Sequence, residues 1–550
     1  MDSRARSSPP SSWRKCSVQR IRMLVPVGFK SEIKELFKLS APVIIAQLMI
    51  FAISFVSTVF CGHLGKTELA GVTLAIAVIN VTGISIGTGL ASACDTLISQ
   101  TFGSGNLLRV GVILQRAILI LLLACFPCWA ILINTEPILL AIKQEPEVAR
   151  VSQLYVQIFM PALPATFMYS LETRYLQNQG IIWPSVITGF VVNIFNALIN
   201  YIVLYALNLG IAGSAIANSL SQFLMAGSLY AYIIWKGLHK STWEGWSREC
   251  LQDWGSYVHL AIPGMVMMCV EWWTYEIGSF LAGLISEVEL GAQSVVFELA
   301  NVAYMFPLGF SVAGSIRVGH ALGAGDTDQA KLSAKLAMFC AGSVSVCLAV
   351  LIGSLKDHIS YVFTYNEQIR ERVADVISFY APLILLDSLS AASGGIIRGA
   401  GKQRVGAVVN VLGYYGIGFP IGVSLMFAAK LGIKGLWTGL LICVFLQCSF
   451  LISYLVRMNW KKTTAEAQIR VGASGSSGDT GPQPDDAGSS QDRTDTIDLV
   501  DTEDRPAVST VEEDLPFRTV VLRRGLALAV MLFILAVGII INLLITNLVT

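Results

Sequence analysis

Residues Val110 to Ile133, VGVILQRAILILLLACFPCWAILI, carry one charge, Arg116, and show no polar face. A surface helix of a soluble protein keeps a polar stripe opposite its apolar one. Roughly 20 apolar residues rising 1.5 Å each is what a bilayer requires. The stretch therefore reads as a transmembrane helix, and most of the chain is built like it. Of 550 residues, 54% are hydrophobic and 14% charged, against roughly 25% charged in an average soluble domain. The first long polar stretch begins only after Trp460.

A window of about 19 residues finds thirteen such stretches, with cores near 40–60, 71–99, 112–134, 155–172, 184–206, 212–235, 257–284, 291–314, 333–354, 374–396, 406–428, 435–456 and 526–547. Lys and Arg set their orientation. The amino-terminal tail is basic (Arg4, Arg6, Arg14, Lys15, Arg20, Arg22, Lys30, Lys34, Lys38). So are the even-numbered loops, through Arg109, Arg174, Lys236, Arg248, Arg317, Arg398 and Lys402. The positive-inside rule makes these cytoplasmic and leaves the extreme carboxyl end outside. Residues 463 to about 517 turn to Gly, Ser, Asp, Thr and Gln without helical period, a composition expected of a disordered tether.

Sliding the chain against itself aligns five markers at one separation, 221 residues: Pro42 with Pro263, Glu68-Leu69 with Glu289-Leu290, Asn80 with Asn301, Pro161 with Pro382, and Gly180 with Gly401. With a small gap, Leu209-Gly-Ile-Ala-Gly213 also meets Leu431-Gly-Ile-Lys-Gly435. The shift carries span one onto span seven. An even number of crossings preserves direction, so the halves are parallel repeats about an axis along the membrane normal. The expected fold is an all-α membrane protein of two parallel six-helix lobes with a thirteenth carboxyl-terminal transmembrane helix. Its divisions would be a cytoplasmic tail 1–38, a first lobe 39–250, a second lobe 251–462, a cytoplasmic linker 463–520, and a last span 521–550. Two such lobes enclose a cleft, the geometry that alternating access needs. Gly83/Gly87, Gly395/Gly399 and Gly418/Gly422 read first as helix-packing pairs.

An ionised carboxylate inside a bilayer costs about 2.5–3.5 kcal/mol even on the lenient insertion scale, so each one is a candidate. Asp95 falls in span two, Glu271 and Glu276 in span seven, Glu298 in span eight and Asp387 in span ten. Glu298 and Asp387 stand opposite Ala77 and Thr166 in the repeat, so charge is where the lobes diverge. Glu172 reads as an interfacial residue at a span end. Basic residues cluster in the loops, which leaves these acids without evident partners. An uncompensated buried carboxylate holds a proton or meets an entering cation, and both are what a cation/proton exchanger requires. Aromatic residues surround them: Trp272, Trp273 and Tyr275 between Glu271 and Glu276, Phe297 beside Glu298, and Tyr304 beyond. Rings with carboxylates recognise quaternary ammonium and protonated amines, a cation over a ring face contributing roughly 0.5–2 kcal/mol. Glu271 and Tyr275 share a helix face, while Glu276 is turned about 140° away, so only one of the two acids is required to face the cleft. For Trp273 packing is as good a reading as ligand contact.

Other classes fare poorly. The net charge is +1, which gives no reason to expect nucleic acid. The eleven cysteines are scattered through apolar runs and suggest neither a disulfide framework nor a metal site. Gly83-Ile-Ser-Ile-Gly87 matches a hydrolase pattern but lies inside an apolar helix. Gly401-Lys402 is followed by Gln403 rather than Ser or Thr, so no phosphate loop of an ATP-driven pump is present. No cofactor is expected, and the chain does not read as an enzyme.

Several stretches resemble the multidrug and toxin extrusion (MATE) family, in its vertebrate organic cation/proton antiporter branch: Val72-Thr-Leu-Ala-Ile-Ala-Val-Ile-Asn80, Cys94-Asp-Thr-Leu-Ile-Ser-Gln100, Glu271-Trp-Trp-Thr-Tyr-Glu276 and Gly291-Ala-Gln-Ser294. The resemblance implies efflux of varied organic cations against protons at an apical plasma membrane. By it, Glu271 matches the second-lobe acid central to exchange, and Glu276, Glu298 and Asp387 match acids of the same cavity, with Asp387 standing where Glu is expected in close relatives. Asp95 matches a first-lobe acid, and Gln47 and Asn80 match polar residues around that lobe's cavity; for Asn80 and Asn301 helix-to-helix hydrogen bonding is an equal reading. Sodium coupling through the same acids, or a lipid or oligosaccharide flippase, are the rival readings.

Overall fold

The computed structural model describes residues 28–362, 366–472 and 515–549. Arg4 to Arg22 of the basic tail and 473–514 of the expected tether lie outside them. Among the described residues the chain is all-helical. Eleven helices are long and apolar enough to cross a membrane. Two more, Ile211–Lys236 and Trp254–Ile285, occupy the positions of spans six and seven. Their own composition holds their hydropathy down: Ser214, Asn218, Ser219, Ser221 and Gln222 in one, and Glu271, Glu276 and His259 in the other.

Two cores accompany the two lobes. One runs from Ile53 to Ala261 and the other from Val270 to Val444. The first reaches past residue 250, because Trp254, Tyr257 and Leu260 at the start of span seven pack into the first lobe. The repeat is visible in backbone detail: spans five and eleven both end in a wide π-helical turn, Ile202–Ala206 and Ser424–Ala428. It is broken elsewhere. Span two (Thr67–Gly103) is interrupted by a π-helical turn at Asn80–Ile84, whereas its counterpart, span eight, is one helix from Glu287 to Gly323 with Pro307 inside. Span four (Pro146–Gln177) breaks at Met160–Ala162, whereas span ten is continuous from Glu367 to Ala400.

The glycine pairs do pack helices. A Cβ on Gly395 would strike Ser311, and one on Gly399 would come within 2.6 Å of the Ser315 carbonyl, so span ten lies directly on span eight. Gly418 lies tightly on Cys443, and Gly422 is in ordinary contact with Leu436. Cys61, Cys125 and Cys128 are buried free thiols.

At one end of the molecule the two lobes are sewn together. A Cβ on Gly103 would strike the His320 backbone, and one on Gly323 the Gln100 carbonyl. Gln100 Nε2 donates to the Gly399 carbonyl at 2.9 Å, Gln403 Nε2 to the Thr96 hydroxyl at 2.6 Å, and the Thr96 hydroxyl to the Arg398 carbonyl. Glu32, at the start of span one (Phe29–Gly62), accepts both arms of Arg317 at 3.0 and 2.7 Å, and also Gln329 and Ser333 of span nine (Thr327–Ser354).

Part of the stretch expected to be a tether is helical. Asn459 caps a helix, Trp460–Arg470, whose Thr463, Thr464 and Ala467 are buried. Gln468 Nε2 donates to the Leu322 and Gly323 carbonyls at 2.9 Å each, Arg470 Nη1 donates to Gln100 Oε1 at 2.7 Å, and Lys402 pairs with Glu466 at 2.8 Å. Buried threonines and specific side-chain bonds outweigh a low apolar content here. The last helix, Phe517–Val549, has the highest mean hydropathy of the set, 3.0, and only 6% of its most apolar stretch is buried. It lies against span three (Leu107–Ile133) through Asn134 donating to the Gly538 carbonyl and Asn542 to the Ile133 carbonyl, each at 3.1 Å.

Candidate functional site

Glu271 lies about halfway along Trp254–Ile285, and the residues around it line a cavity of about 270 Å³. Span seven contributes Glu271, Trp272, Tyr275 and Glu276. Span eight contributes Phe297, Ala300, Asn301 and Tyr304, which recur at three- and four-residue steps and so form one face. Span ten contributes Tyr380 and Asp387, two turns apart on one face, with Pro382 between them. The first lobe adds Asn80 and Val81, where span two widens into its π-helical turn. Such turns are frequent at functional sites, and here the turn brings backbone from the opposite lobe to the cavity wall.

Both Glu271 and Glu276 line the cavity. Their 140° separation does not exclude one of them, because the cavity wraps around span seven and meets that whole arc. Glu298 does not line it; its side chain is exposed, within electrostatic reach of Glu276. Gln47, half-buried on span one, does not line it either. Trp273 points away and packs: its Nε1 donates to the Val81 carbonyl at 2.9 Å and ties span seven to span two.

Asp95 departs most from expectation. It is buried outside the cavity and is paired: Arg174 Nη1 stands 2.6 Å and Arg398 Nε 3.5 Å from its Oδ2, with Asn178 Nδ2 3.3 Å from Oδ1. These two arginines read as loop residues, but spans four and ten run on to Gln177 and Ala400, so both are helical. Their long stems carry the guanidinium back into the protein. Glu172 is likewise inside span four rather than at its end, with Oε2 buried and without a hydrogen-bond partner.

The cavity acids are different. Among the described residues no ion pair involves Glu271, Glu276, Glu298 or Asp387. Glu271 and Asp387 are close enough to act on each other electrostatically. Behind them stands an aromatic buttress. The Tyr275 ring lies 5.9 Å from Phe297 and 6.3 Å from Trp437, the Tyr380 ring packs edge-on to Trp437 at 5.4 Å, and Trp437 Nε1 donates to Gln293 Oε1 at 2.8 Å. Carboxylates without basic partners, framed by ring faces, can hold an organic cation or, in its place, a proton. Tyr380 is the polar lining residue the sequence reading missed, with the apolar Val81 and Ala300, although its two-turn spacing from Asp387 carries the signal.

Comparison with known proteins agrees with this architecture. The MatE family model matches twice, at residues 42–202 and 263–424, and its two copies begin 221 residues apart. A multidrug and toxin extrusion protein 1 of Danio rerio is 61% identical over 544 residues, covering 95% of this chain and 92% of its own. A multidrug and toxin extrusion protein 2 of Mus musculus is 53% identical, with coverages of 93% and 92%. Among solved structures, the eukaryotic MATE transporter AtDTX14 superposes with a TM-score of 0.78 at 28% identity, over 81% of this chain and 100% of its own. A multidrug resistance MATE family transporter described as outward-facing gives a TM-score of 0.67 at 16% identity, over 80% and 96%, a likeness of fold.

Proposed function

The chain belongs to the MatE family, and from that premise we propose that it is an antiporter exporting organic cations in exchange for protons. The observation that carries this is the cavity holding Glu271 and Asp387 among Trp272, Tyr275, Phe297 and Tyr304, with no basic side chain among the described residues in an ion pair with either acid. If a proton and an organic cation compete for the same carboxylates, each lowers the other's affinity by the same factor. An inward proton gradient then drives the cation out. Asn301 and Asn80 complete the rim, and Glu276, with Glu298 beyond it, extends the negative field along the way out.

The lobes move by alternating access about the cavity. The sewn end, where Glu32, Arg317, Lys402 and Arg398 gather, is the cytoplasmic one by the excess of basic residues there. The amino terminus is then cytoplasmic, the carboxyl terminus extracellular, and the membrane the apical plasma membrane. Quaternary ammonium and protonated amine drugs are the expected substrates.

The test is uptake of labelled tetraethylammonium into vesicles containing the protein, with an acidic interior and then with the gradient collapsed by an ionophore. Accumulation that needs the pH gradient and is lost in Glu271→Gln supports the proposal. Uptake that ignores pH and follows sodium replaces the coupling ion, and no uptake of any cation returns the flippase reading.

A further inference from the structure

Asp95 is over-supplied with positive charge. Two guanidinium groups, Arg174 from its own lobe and Arg398 from the other, converge on the one oxygen Oδ2. The cluster keeps a surplus positive charge, and an excess charge in a low-dielectric interior seeks its nearest counter-charge. Arg398 supplies the direction. Its side chain climbs its own helix, with Nη1 3.7 Å from the position a Cβ on Gly394 would take, and Nη2 donates to the Ser311 hydroxyl at 3.0 Å. From there it is within electrostatic reach of Glu271 and Tyr304 in the cavity. Its backbone is meanwhile part of the cytoplasmic seam, the Arg398 carbonyl accepting from Thr96 and the neighbouring Gly399 carbonyl from Gln100. One side chain therefore stands between Glu271, within its electrostatic reach on one side, and the opposite lobe's Asp95, with which it pairs on the other.

We propose that Arg398 is the positioning residue through which occupancy of Glu271 and Asp387 reaches the cytoplasmic seam. With the acids ionised and empty, they compete with Asp95 for the Arg398 guanidinium and the seam is loosened. When a proton or an organic cation neutralises them, Arg398 belongs to Asp95 alone, and the bond between the lobes tightens. Arg398 touches neither proton nor cargo; it acts by which carboxylate it favours. This inference rests on the cavity being the cation site.

The seam offers its own reporter. Ser99 is fully buried there, its hydroxyl where a Cβ on Gly319 would fall. In a Ser99→Cys chain reconstituted in vesicles, labelling by an impermeant maleimide from the cytoplasmic side, counted against the chain without that cysteine, reports opening of the seam. Tetraethylammonium should reduce this labelling several-fold, and Arg398→Gln should raise the basal labelling and abolish the ligand's effect. Arg398→Lys, which keeps the charge, should restore part of the protection. Protection by tetraethylammonium that persists in Arg398→Gln overturns the proposal, and so does its absence in the parent chain. If Arg398→Gln does not reach the membrane, Ser311→Ala, which removes the anchor of Nη2, must weaken the protection instead. Protection needs only binding, so a failure of proton-driven uptake would strike the coupling reading and leave this one to be decided separately.

Discussion

The two lobes descend from one repeat, yet they spend their charged residues in opposite ways. In the first lobe, Asp95 is clamped by Arg174, Arg398 and Asn178, and no acid stands at its place in the second lobe, where Ser315 and Ile316 lie. In the second lobe, Glu271 and Asp387 face a cavity and are in no ion pair among the described residues, and their counterparts in the first are Ile50 and Thr166. An acid locked in an ion pair is part of the framework, while an acid held in none stays available to something that arrives from solution. The presence of a membrane carboxylate does not by itself say which of the two it is; its neighbours do.

The contrast can be broken most directly at Glu271. Glu271→Gln should cut pH-driven tetraethylammonium uptake at least about ten-fold at equal surface level, the loss of roughly 1.4 kcal/mol or more of cation binding, without lowering the melting temperature of the purified protein. Asp95→Asn should do the reverse in emphasis. Removing one member of a buried pair costs about 3–5 kcal/mol, so a lowered melting temperature and a reduced surface level, measured by fluorescence thermal shift and biotinylation, should account for its loss of uptake. Equal melting temperatures for the two variants would erase the distinction drawn between the lobes. Trp272→Leu sharpens the cavity side. Losing one ring face should raise KM for tetraethylammonium by about two- to thirty-fold with kcat preserved, since a cation over a ring is worth roughly 0.5–2 kcal/mol, whereas Trp273→Leu, which removes the bond to Val81, should act on stability instead. The smallest effect is expected from ending the chain before Phe517. The last helix lies on the outside of the first lobe, held by Gly538 against Ala130, by Arg524 on Trp254 and by a few backbone carbonyls, with little of it buried and none of it lining the cavity, so uptake per molecule at the surface should stay within about two-fold.

Much of this was readable from residues alone, for identifiable reasons. Prolines, glycines and Glu68/Glu289 held one register across the repeat because helix breaks and caps tolerate few substitutes, and Glu271 through Tyr275 announced the cavity because charge and aromatic rings are so costly to place together in a bilayer. Arg174 and Arg398 were hidden because a hydropathy window closes a span at the first charge, although an arginine stem lets the helix continue while its head turns inward. The Trp460–Arg470 helix was hidden because its hold on Gln100, Leu322 and Gly323 is a matter of side-chain and backbone hydrogen bonds across more than a hundred residues of sequence. Tyr380 was hidden because it stands seven residues before Asp387 across Pro382, so only the two-turn period of a helix, and no adjacent charge, links it to the cavity.

The unbroken span eight has a mechanical consequence. At 37 residues it is about 55 Å long, nearly twice the roughly 30 Å of a hydrocarbon core, and Pro307 near its middle removes one rung of its internal bonding. The arm from Pro307 to Gly323 is about 24 Å. A 10° flexure at the proline would swing its tip by about 4 Å, more than the 2.9 Å that joins Gln468 to Gly323. The helix is thus a lever with its fulcrum just beyond the cavity residues Asn301 and Tyr304, long enough to turn a shift of about 1 Å at Tyr304 into a stroke that parts one end of the molecule.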